Sequence, residues 1–434
     1  MSEPAVGVCR CVAAVAWLAV AGAVPAQEAS AQGTAAPGAA PAQGRTAIGL
    51  SEVAVRLGGL AQVDGHVFLD DEAGKLVDEL LVRRARLDLQ AKFGRFSARL
   101  APELGMGKAQ ILDAYVEARL PAGLRLRLGK LIPPISSERL QSPAAYLFVE
   151  PALSTNLAPT RDVGLQLSGE VGNVATFSVG VFDGAVDGGA LDGDTSDDKD
   201  VAARVFVRPL APLGIDLLAG LGVGVSGSWG ATHGDPAKAA EVPVYKSEGL
   251  TTFFELKKAG AGVVPGAANT AWSSGRRARL GVQASWYAGP AAIVGEVLLS
   301  EQRVLYGDPP AVARLRNRGW QAVGVIDVTG ERATDGTVAP AAPVDAGGWG
   351  ALQIAVRLSR LDVDDDAFPA VADPHKAASS ATSLGAGLSW WPVTGARVVL
   401  DYVQTSFQGG AGTPSAVEDR ATERALLSRV QLAF

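Results

Sequence analysis

Apolar and polar residues alternate one by one along much of this chain. Between Arg84 and Phe93, alanine, leucine and phenylalanine take every second position, and arginine, aspartate, glutamine and lysine take the positions between them. Successive side chains of a strand point to opposite faces, so this pattern predicts a β-strand with one apolar and one polar face. About sixteen such segments follow one another from about Ile48 onward. Other clear examples span Ile111 to Leu120, Leu124 to Leu128 and Arg277 to Trp286, and Val398 to Val403 is a weaker one.

Short connections that contain glycine or proline join many of these segments. Gly94 separates two alternating runs, and Pro121-Ala122-Gly123 separates the next two. Such turns between strands predict a meander of antiparallel hairpins. The fold class is therefore all-β.

The last segment, Arg424 to Phe434, has one apolar face and ends on an aromatic residue. A closing strand of this kind is typical of outer-membrane β-barrels. An edge strand of a soluble sandwich has the same alternation, so this segment alone leaves both folds open. The polar faces elsewhere carry mostly Arg, Gln, Ser, Gly and Asp, which favours a water-filled lumen over the outside of a sandwich.

The amino terminus predicts export. Residues 12–24 form an apolar run that is too short to span a membrane, and Arg10 precedes it. These features predict a signal peptide over residues 1–26, cleaved after Ala26, with Ala29 or Ala31 as alternatives. Residues 27–47, rich in Ala, Pro and Gly, are predicted to be a disordered linker, and residues 48–434 the barrel domain.

Composition excludes several classes of protein. Both cysteines, Cys9 and Cys11, lie in the signal peptide, so the mature chain has neither disulfides nor thiolate metal sites. No later segment reaches the roughly 18 uninterrupted apolar residues of a membrane helix, so a membrane location requires a barrel. The net charge of −6 argues against a nucleic-acid partner.

Several short pieces of the chain follow one another in the order typical of one family. They are Arg83–Leu87, Asp113–Val116, Leu124–Leu140, Phe148–Glu150, Arg161–Gly164, Gly180–Gly184, Trp390–Pro392 and Arg429–Phe434. Together they resemble the phosphate-selective porin O and P family. The resemblance is close from Leu80 to Phe182 and from Leu384 to Phe434, and loose between them.

The resemblance implies a transmembrane antiparallel β-barrel of about 16 strands in the bacterial outer membrane. It also implies a homotrimer, long extracellular loops, and at least one loop folded into the lumen, which would be the segment from Ile132 to Thr160. Partners would be outer-membrane lipid, small anions such as phosphate, and the barrel-assembly machinery through Phe434. Candidate residues of the constriction are Lys130, Glu138, Arg139, Glu150 and Arg161.

The chain departs from the family pattern at a few places. Pro151 follows Glu150 where the family usually has arginine, and Ser136 stands where it often has glycine. The loops are acidic rather than rich in lysine. These departures bear on phosphate specificity more than on the barrel.

Seven long connections are predicted to lie on the extracellular side. They are Ile132–Thr160, Asp183–Asp200, His233–Ser247, Gly260–Ser274, Thr329–Gly347, Asp362–Ala378 and Gly409–Thr422. Two of them carry acidic runs, which are typical of solvated loops, so no metal site is predicted.

The polar face of the predicted strands is rich in cations, and anion selectivity in a pore requires Arg or Lys facing the lumen. The candidate lumen cations are Arg84, Arg86, Lys92, Arg95, Arg99, Arg125, Arg127, Arg277 and Arg279. The predicted function is a porin for passive diffusion of small polar solutes, and of anions such as phosphate in particular. A non-selective general porin and a structural or adhesive barrel remain alternatives.

Enzymatic activity is not predicted. The chain has three histidines, His66, His233 and His375, and none lies in a recognisable nucleophile motif. No catalytic residue and no cofactor is therefore expected.

Overall fold

The computed structural model describes residues 53–69, 76–193, 196–235, 241–257 and 270–434. The predicted signal peptide, the predicted linker and the predicted barrel start at Ile48 lie outside these residues. The first described strand begins at Ala54.

Sixteen antiparallel strands form one closed barrel, as the sequence predicts. Each barrel strand pairs with the next barrel strand along the chain, and the last pairs with the first through Leu60 opposite Ala433. The barrel strands are β1 (Ala54–Phe68), β2 (Glu79–Phe93), β3 (Phe96–Glu103), β4 (Gln110–Arg119), β5 (Arg125–Leu131), β6 (Asp162–Val171), β7 (Ala175–Phe182), β8 (Asp200–Val207), β9 (Leu221–His233), β12 (Ala271–Ala288), β13 (Ala291–Tyr306), β14 (Ala311–Asp327), β15 (Ala351–Asp362), β16 (Ala378–Trp391), β17 (Ala396–Thr413) and β19 (Glu423–Ala433).

The other regular elements are short. Strands β10 (Val244–Lys246) and β11 (Thr252–Glu255) pair with each other, and β18 (Ala416–Asp419) pairs with the end of β17. Helices α1 (Ser137–Leu140) and α2 (Asp216–Ala219) each make one turn. None of the helices among the described residues could span a membrane.

The barrel wall is apolar outside and polar inside. Leu280 and Leu432 face outward and are 45% and 58% exposed, whereas Arg277 and Gln283 face inward and are buried. A barrel in a membrane has lipid outside and water or polar groups inside, which accounts for the alternation along each strand. Leu87 is also exposed on the outward face.

The connections lie at two ends, and the chain changes ends with every strand. The end at which β1 begins and β19 ends has short turns such as 121–123 and 172–174, which identifies it as the periplasmic end. One predicted extracellular connection is wrong: Thr329–Gly347 belongs to residues 328–350, which join β14 to β15 at the periplasmic end. The predicted loops His233–Ser247 and Gly260–Ser274 overlap one connection, residues 234–270, whereas His233 belongs to β9 and residues 271–274 belong to β12.

Candidate functional site: the lumen and its loops

The connection between β5 and β6, residues 132–161, folds into the barrel, and we call it the first inner loop. Its carbonyl oxygens accept hydrogen bonds from inward side chains of distant strands. Gln283 donates to Ile135 at 3.0 Å, and Gln431 donates to Ala144 at 3.1 Å. Backbone groups away from water need such partners, and the polar inner wall supplies them. The prediction that this segment enters the lumen is confirmed.

Glu150 holds the first inner loop against the wall by charge. One of its carboxylate oxygens lies 2.6 Å from Arg83 Nε and 3.3 Å from Arg429, and Arg429 also binds Asp64 through two bonds of 2.7 and 2.6 Å. Burial by itself would raise the pKa of Glu150. The charges of Arg83, Arg84 and Arg429 outweigh it and hold that pKa well below its usual range. Glu150 is therefore a charged anchor.

Arg357 on β15 joins the first inner loop to a second one. Its guanidinium carbon lies 4.1 Å from the centre of the Phe148 ring and its Nη1 donates to the Glu150 carbonyl. Its Nη2 lies 2.9 Å from Glu248, and its Nη1 lies 3.7 Å from Glu138. Glu248 lies in the connection between β9 and β12, and we call the described residues 241–257 of that connection the second inner loop. One buried cation thus connects both loops to the wall.

The second inner loop packs on the first through aromatic side chains. Tyr245, Phe253 and Phe254 are buried, and the rings of Tyr245 and Phe254 stack at 5.3 Å. They share an apolar cluster with Leu153 and Leu157 of the first inner loop. Both inner loops therefore pack against the inner face of the wall between β13 and β16.

The remaining predicted constriction residues all have partners in the loops or the wall. Arg139 bonds to a carbonyl within the first inner loop and Glu138 to Gln321 of β14, whereas Lys130 and Arg161 form ion pairs. These contacts are Lys130 with Asp192, Glu138 with Gln321 at 2.8 Å, Arg139 with the Thr155 carbonyl at 3.0 Å, and Arg161 with Asp113 at 2.7 Å. Their part in a constriction stays a prediction.

A cavity of about 920 Å³ occupies the periplasmic end of the lumen, below the first inner loop. Residues 137–145 of that loop and both ends of the barrel chain border it. Among the described residues, five arginines and two carboxylates line it: Arg56, Arg86, Arg99, Arg204, Arg208, Asp88 and Asp335. The lining is therefore positive.

Some of these arginines are neutralised and others are not. Arg99 forms an ion pair with Asp88 at 2.8 Å, and Arg86 forms one with Glu103 at 3.2 Å. Arg204, in contrast, donates to the neutral amide oxygen of Gln283 at 2.8 and 3.0 Å. Its charge is available to a solute in the cavity.

Arg204 and Arg208 were not among the predicted lumen cations. They flank Phe206 on the inward side of β8 and its end, with guanidinium carbons 5.1 and 5.6 Å from the ring centre. Gly222 and Gly224 of β9 leave room for that ring, because a Cβ at either position would overlap it. The alternation Arg-Val-Phe-Val-Arg over residues 204–208 is the sequence signal that could have identified the pair.

Five of the predicted lumen cations, all between β2 and β5, lie in three different environments. Arg84 is buried behind the first inner loop and donates to Gln62 at 2.6 Å. Lys92 and Arg95 are exposed at the periplasmic turn between β2 and β3. Two more form ion pairs with neighbouring strands: Arg125 with Glu170 at 2.6 Å and Arg127 with Glu117 at 2.8 Å.

Arg277 and Arg279 are buried and have a different environment from the other predicted cations. Both contact Asp200 at 3.1 Å, and Arg279 also binds Asp187 at 2.6 Å. Arg277 also donates to the Gly184 carbonyl, and Arg279 donates to the Ala185 carbonyl. Both acceptors lie in the connection between β7 and β8. The structure thus uses these two arginines to hold a loop.

The periplasmic segment, residues 328–350, also reaches the cavity. Ala333 N donates to the Gly289 carbonyl at 2.8 Å, and Val344 N donates to the Pro392 carbonyl at 2.9 Å. These bonds tie the segment to two neighbouring turns. Asp335 is placed at the cavity, 4.0 Å from Arg208. The segment narrows the periplasmic mouth and contributes a negative charge to it.

Comparisons with known proteins agree with this architecture. The family model described as phosphate-selective porin O and P matches residues 55–434. No curated protein sequence matches the chain significantly.

Solved structures share the fold at low sequence identity. The channel DcaP of Acinetobacter baumannii is 12% identical, with 88% of this chain and 98% of that chain covered at a TM-score of 0.53. An anion-selective porin from Comamonas acidovorans is 10% identical, with 88% and 100% covered at 0.52. The trimer form of OmpT of Vibrio cholerae is 10% identical, with 88% and 99% covered at 0.53. Because the family model covers most of the chain, the protein belongs to the phosphate-selective porin O and P family and is a β-barrel of the bacterial outer membrane.

Proposed function

We propose that this barrel forms a water-filled channel through which small polar solutes, and small anions above all, diffuse passively. The family and the fold are those of channels rather than enzymes. The observation that carries the preference for anions is the cavity of about 920 Å³ with its arginine-rich lining. A positive surface in a cleft with low-dielectric walls raises the local concentration of anions.

Phosphate is the specific anion that we propose, and the family name supports it. A guanidinium group can donate two parallel hydrogen bonds to phosphate oxygens. Arg204 and Arg208 present such groups on one side of the cavity. The structural similarity to an anion-selective porin from Comamonas acidovorans also supports a preference for anions over cations.

A general porin without strong selectivity is the second candidate. The ion pairs of Arg99 with Asp88, and of Arg127 with Glu117, favour it because paired charges attract a passing anion less. Asp335 acts in the same direction.

We further propose that the chain assembles as a homotrimer in outer-membrane lipid and uses Phe434 as a signal for the barrel-assembly machinery. The trimer form of OmpT supports the first point. Phe434 supports the second because it is exposed at the periplasmic end and its backbone pairs with Gly59 of β1. Conductance that closes in three equal steps would support the trimer, and single steps only would contradict it.

Chloride conductance of the refolded protein in a planar bilayer tests the proposed function. We expect stable channels whose chloride current falls as inorganic phosphate is added at low concentration. Sulfate at equal ionic strength is the matched control for non-specific anion competition. Equal effects of the two anions would leave a general anion-favouring porin, and the absence of conductance would contradict a channel.

A further inference from the structure

The outward face of strands β12 to β15 changes from apolar to cationic toward the extracellular end. On β14, Ile326, Gly324, Ala322 and Trp320 face outward first, and arginines take the next three outward positions. Neighbouring strands do the same. The outward arginines, which we call the arginine belt, are Arg276, Arg303, Arg314, Arg316, Arg318 and Arg360.

The belt lies at the height where the hydrocarbon layer ends. A spanning strand needs about 9–11 residues, and β14 has 17. An arginine that faces lipid is strongly unfavourable at the bilayer midplane and is tolerated near the interface. Trp229, 63% exposed on β9, lies opposite Ala278 in register, two positions from Arg276, and outward tryptophans are enriched at this same interface.

The belt carries more positive than negative charge. Glu301 lies 3.5 Å from Arg276, 3.9 Å from Arg314 and 3.1 Å from Arg316, so one carboxylate forms ion pairs with three cations. Asp362 forms ion pairs with two further arginines, Arg318 at 3.0 Å and Arg360 at 2.6 Å. Among the described outward residues of β12 to β15, six guanidinium groups therefore face two carboxylates.

The register places like charges side by side. Arg303 lies directly opposite Arg314 on the same face of the sheet, an arrangement that destabilises a strand pair unless an anion lies between them. The side chains of Arg314, Arg316 and Arg318 are 62%, 64% and 68% exposed. A cleft of about 560 Å³ is lined by Arg314 and Arg316 and also by Asp364 and Asp366, and the Asp364 carboxylate accepts a hydrogen bond from Arg316 N at 2.8 Å. The exposed guanidinium groups of Arg314, Arg316 and Arg318 are nevertheless open to an external anion.

We propose that the arginine belt binds the phosphate groups of a phosphorylated glycolipid in the outer leaflet. The belt is continuous with the apolar surface that contacts lipid, so an anion held there would belong to a molecule whose acyl chains cover Leu280, Leu299 and Val297 below. Guanidinium groups bind phosphate oxygens bidentately, and the outward face cannot contact a solute in the lumen. The site is therefore independent of the channel function.

Binding of bisphosphorylated lipid A to the detergent-solubilised full chain tests this proposal. The variant R314Q/R316Q/R318Q removes three exposed cations of the belt. The variant R95Q/R119Q/R332Q removes three exposed arginines at the periplasmic end and is the matched control. We expect roughly a hundredfold weaker binding for the belt variant, since three cations near a lipid phosphate are lost, and unchanged binding for the control.

Three further measurements decide between the sources of an anion. Lipid A without its phosphates should bind weakly, and inorganic phosphate at equal concentration should not compete. Binding should persist in EDTA, because the contact is direct. Equal binding by the belt variant and wild type, equal binding of the dephosphorylated lipid, full competition by inorganic phosphate, or loss of binding in EDTA would each overturn the proposal. An unchanged heat-induced mobility shift of the variant shows that it has folded.

Discussion

The barrel has two walls that carry arginine in the same alternating pattern and use it differently. Strands β3 to β8, the short wall, have 7 to 10 residues each, and strands β12 to β17, the long wall, have 12 to 18. On the long wall, Arg277, Arg357 and Arg397 are buried and hold loops. On the short wall, Arg99 and Arg204 line the open cavity. Alternation therefore determines that an arginine points inward, and the loops determine whether a solute can meet it.

The largest expected difference between the walls is in stability. The substitution R357Q removes the cation between Glu248 and Glu138 and leaves the buried Glu248 and the partly buried Glu138 without it. Removing one partner of a buried ion pair costs about 3–5 kcal/mol. The matched change on the short wall is R125Q, whose exposed pair with Glu170 contributes less than about 1 kcal/mol. Guanidinium-induced unfolding in lipid vesicles measures both. Equal losses would show that the two walls do not differ in this way.

The second prediction concerns the charged anchor of the first inner loop. The pKa of Glu150 is lowered in the folded protein, so its contribution is fully present above the unfolded pKa and disappears as the pH falls through the folded one. We expect E150Q to be about 2 kcal/mol less stable than wild type at pH 7. The difference should shrink in strong acid. Unfolding curves at pH 7 and pH 2 check this, and a difference that does not depend on pH would contradict the anchor role.

A smaller effect is expected for paired arginines of the short wall outside the cavity. Arg125 and Arg127 face Glu170 and Glu117. Substitution R125Q/R127Q should move the reversal potential slightly toward cations, and only at low ionic strength where screening is weak. The same shift at 1 M salt would mean that these residues lie in the narrowest part of the passage.

The sequence predicted the barrel and its strand faces because each strand alternates between lipid and a polar interior. Leu280 and Arg279 fall on the expected sides for that reason alone. The burial of Arg279 depends on Asp187, 92 positions away in the sequence, and no local pattern reports such a contact. The first inner loop was predicted from a resemblance, whereas the apolar packing of the second inner loop was not predicted.

Two errors have simple physical origins. The end at which residues 328–350 lie depends on the number of preceding strands, and one uncertain strand reverses the assignment. Arg204 and Arg208 lie on the short strand β8, after an acidic loop, where only a few residues show the alternation. Their importance comes from the cavity below the first inner loop, which forms from parts distant in sequence.

The reversal potential of single channels in a potassium chloride gradient shows whether solutes pass the arginines of the open cavity. We expect an anion-selective wild type. We expect R204Q/R208Q to shift clearly toward cations, and R204K/R208K, which keeps both charges, to stay close to wild type. A wild-type channel that is already cation-selective, or a glutamine variant with the reversal potential of the wild type, would show that solutes do not pass these arginines.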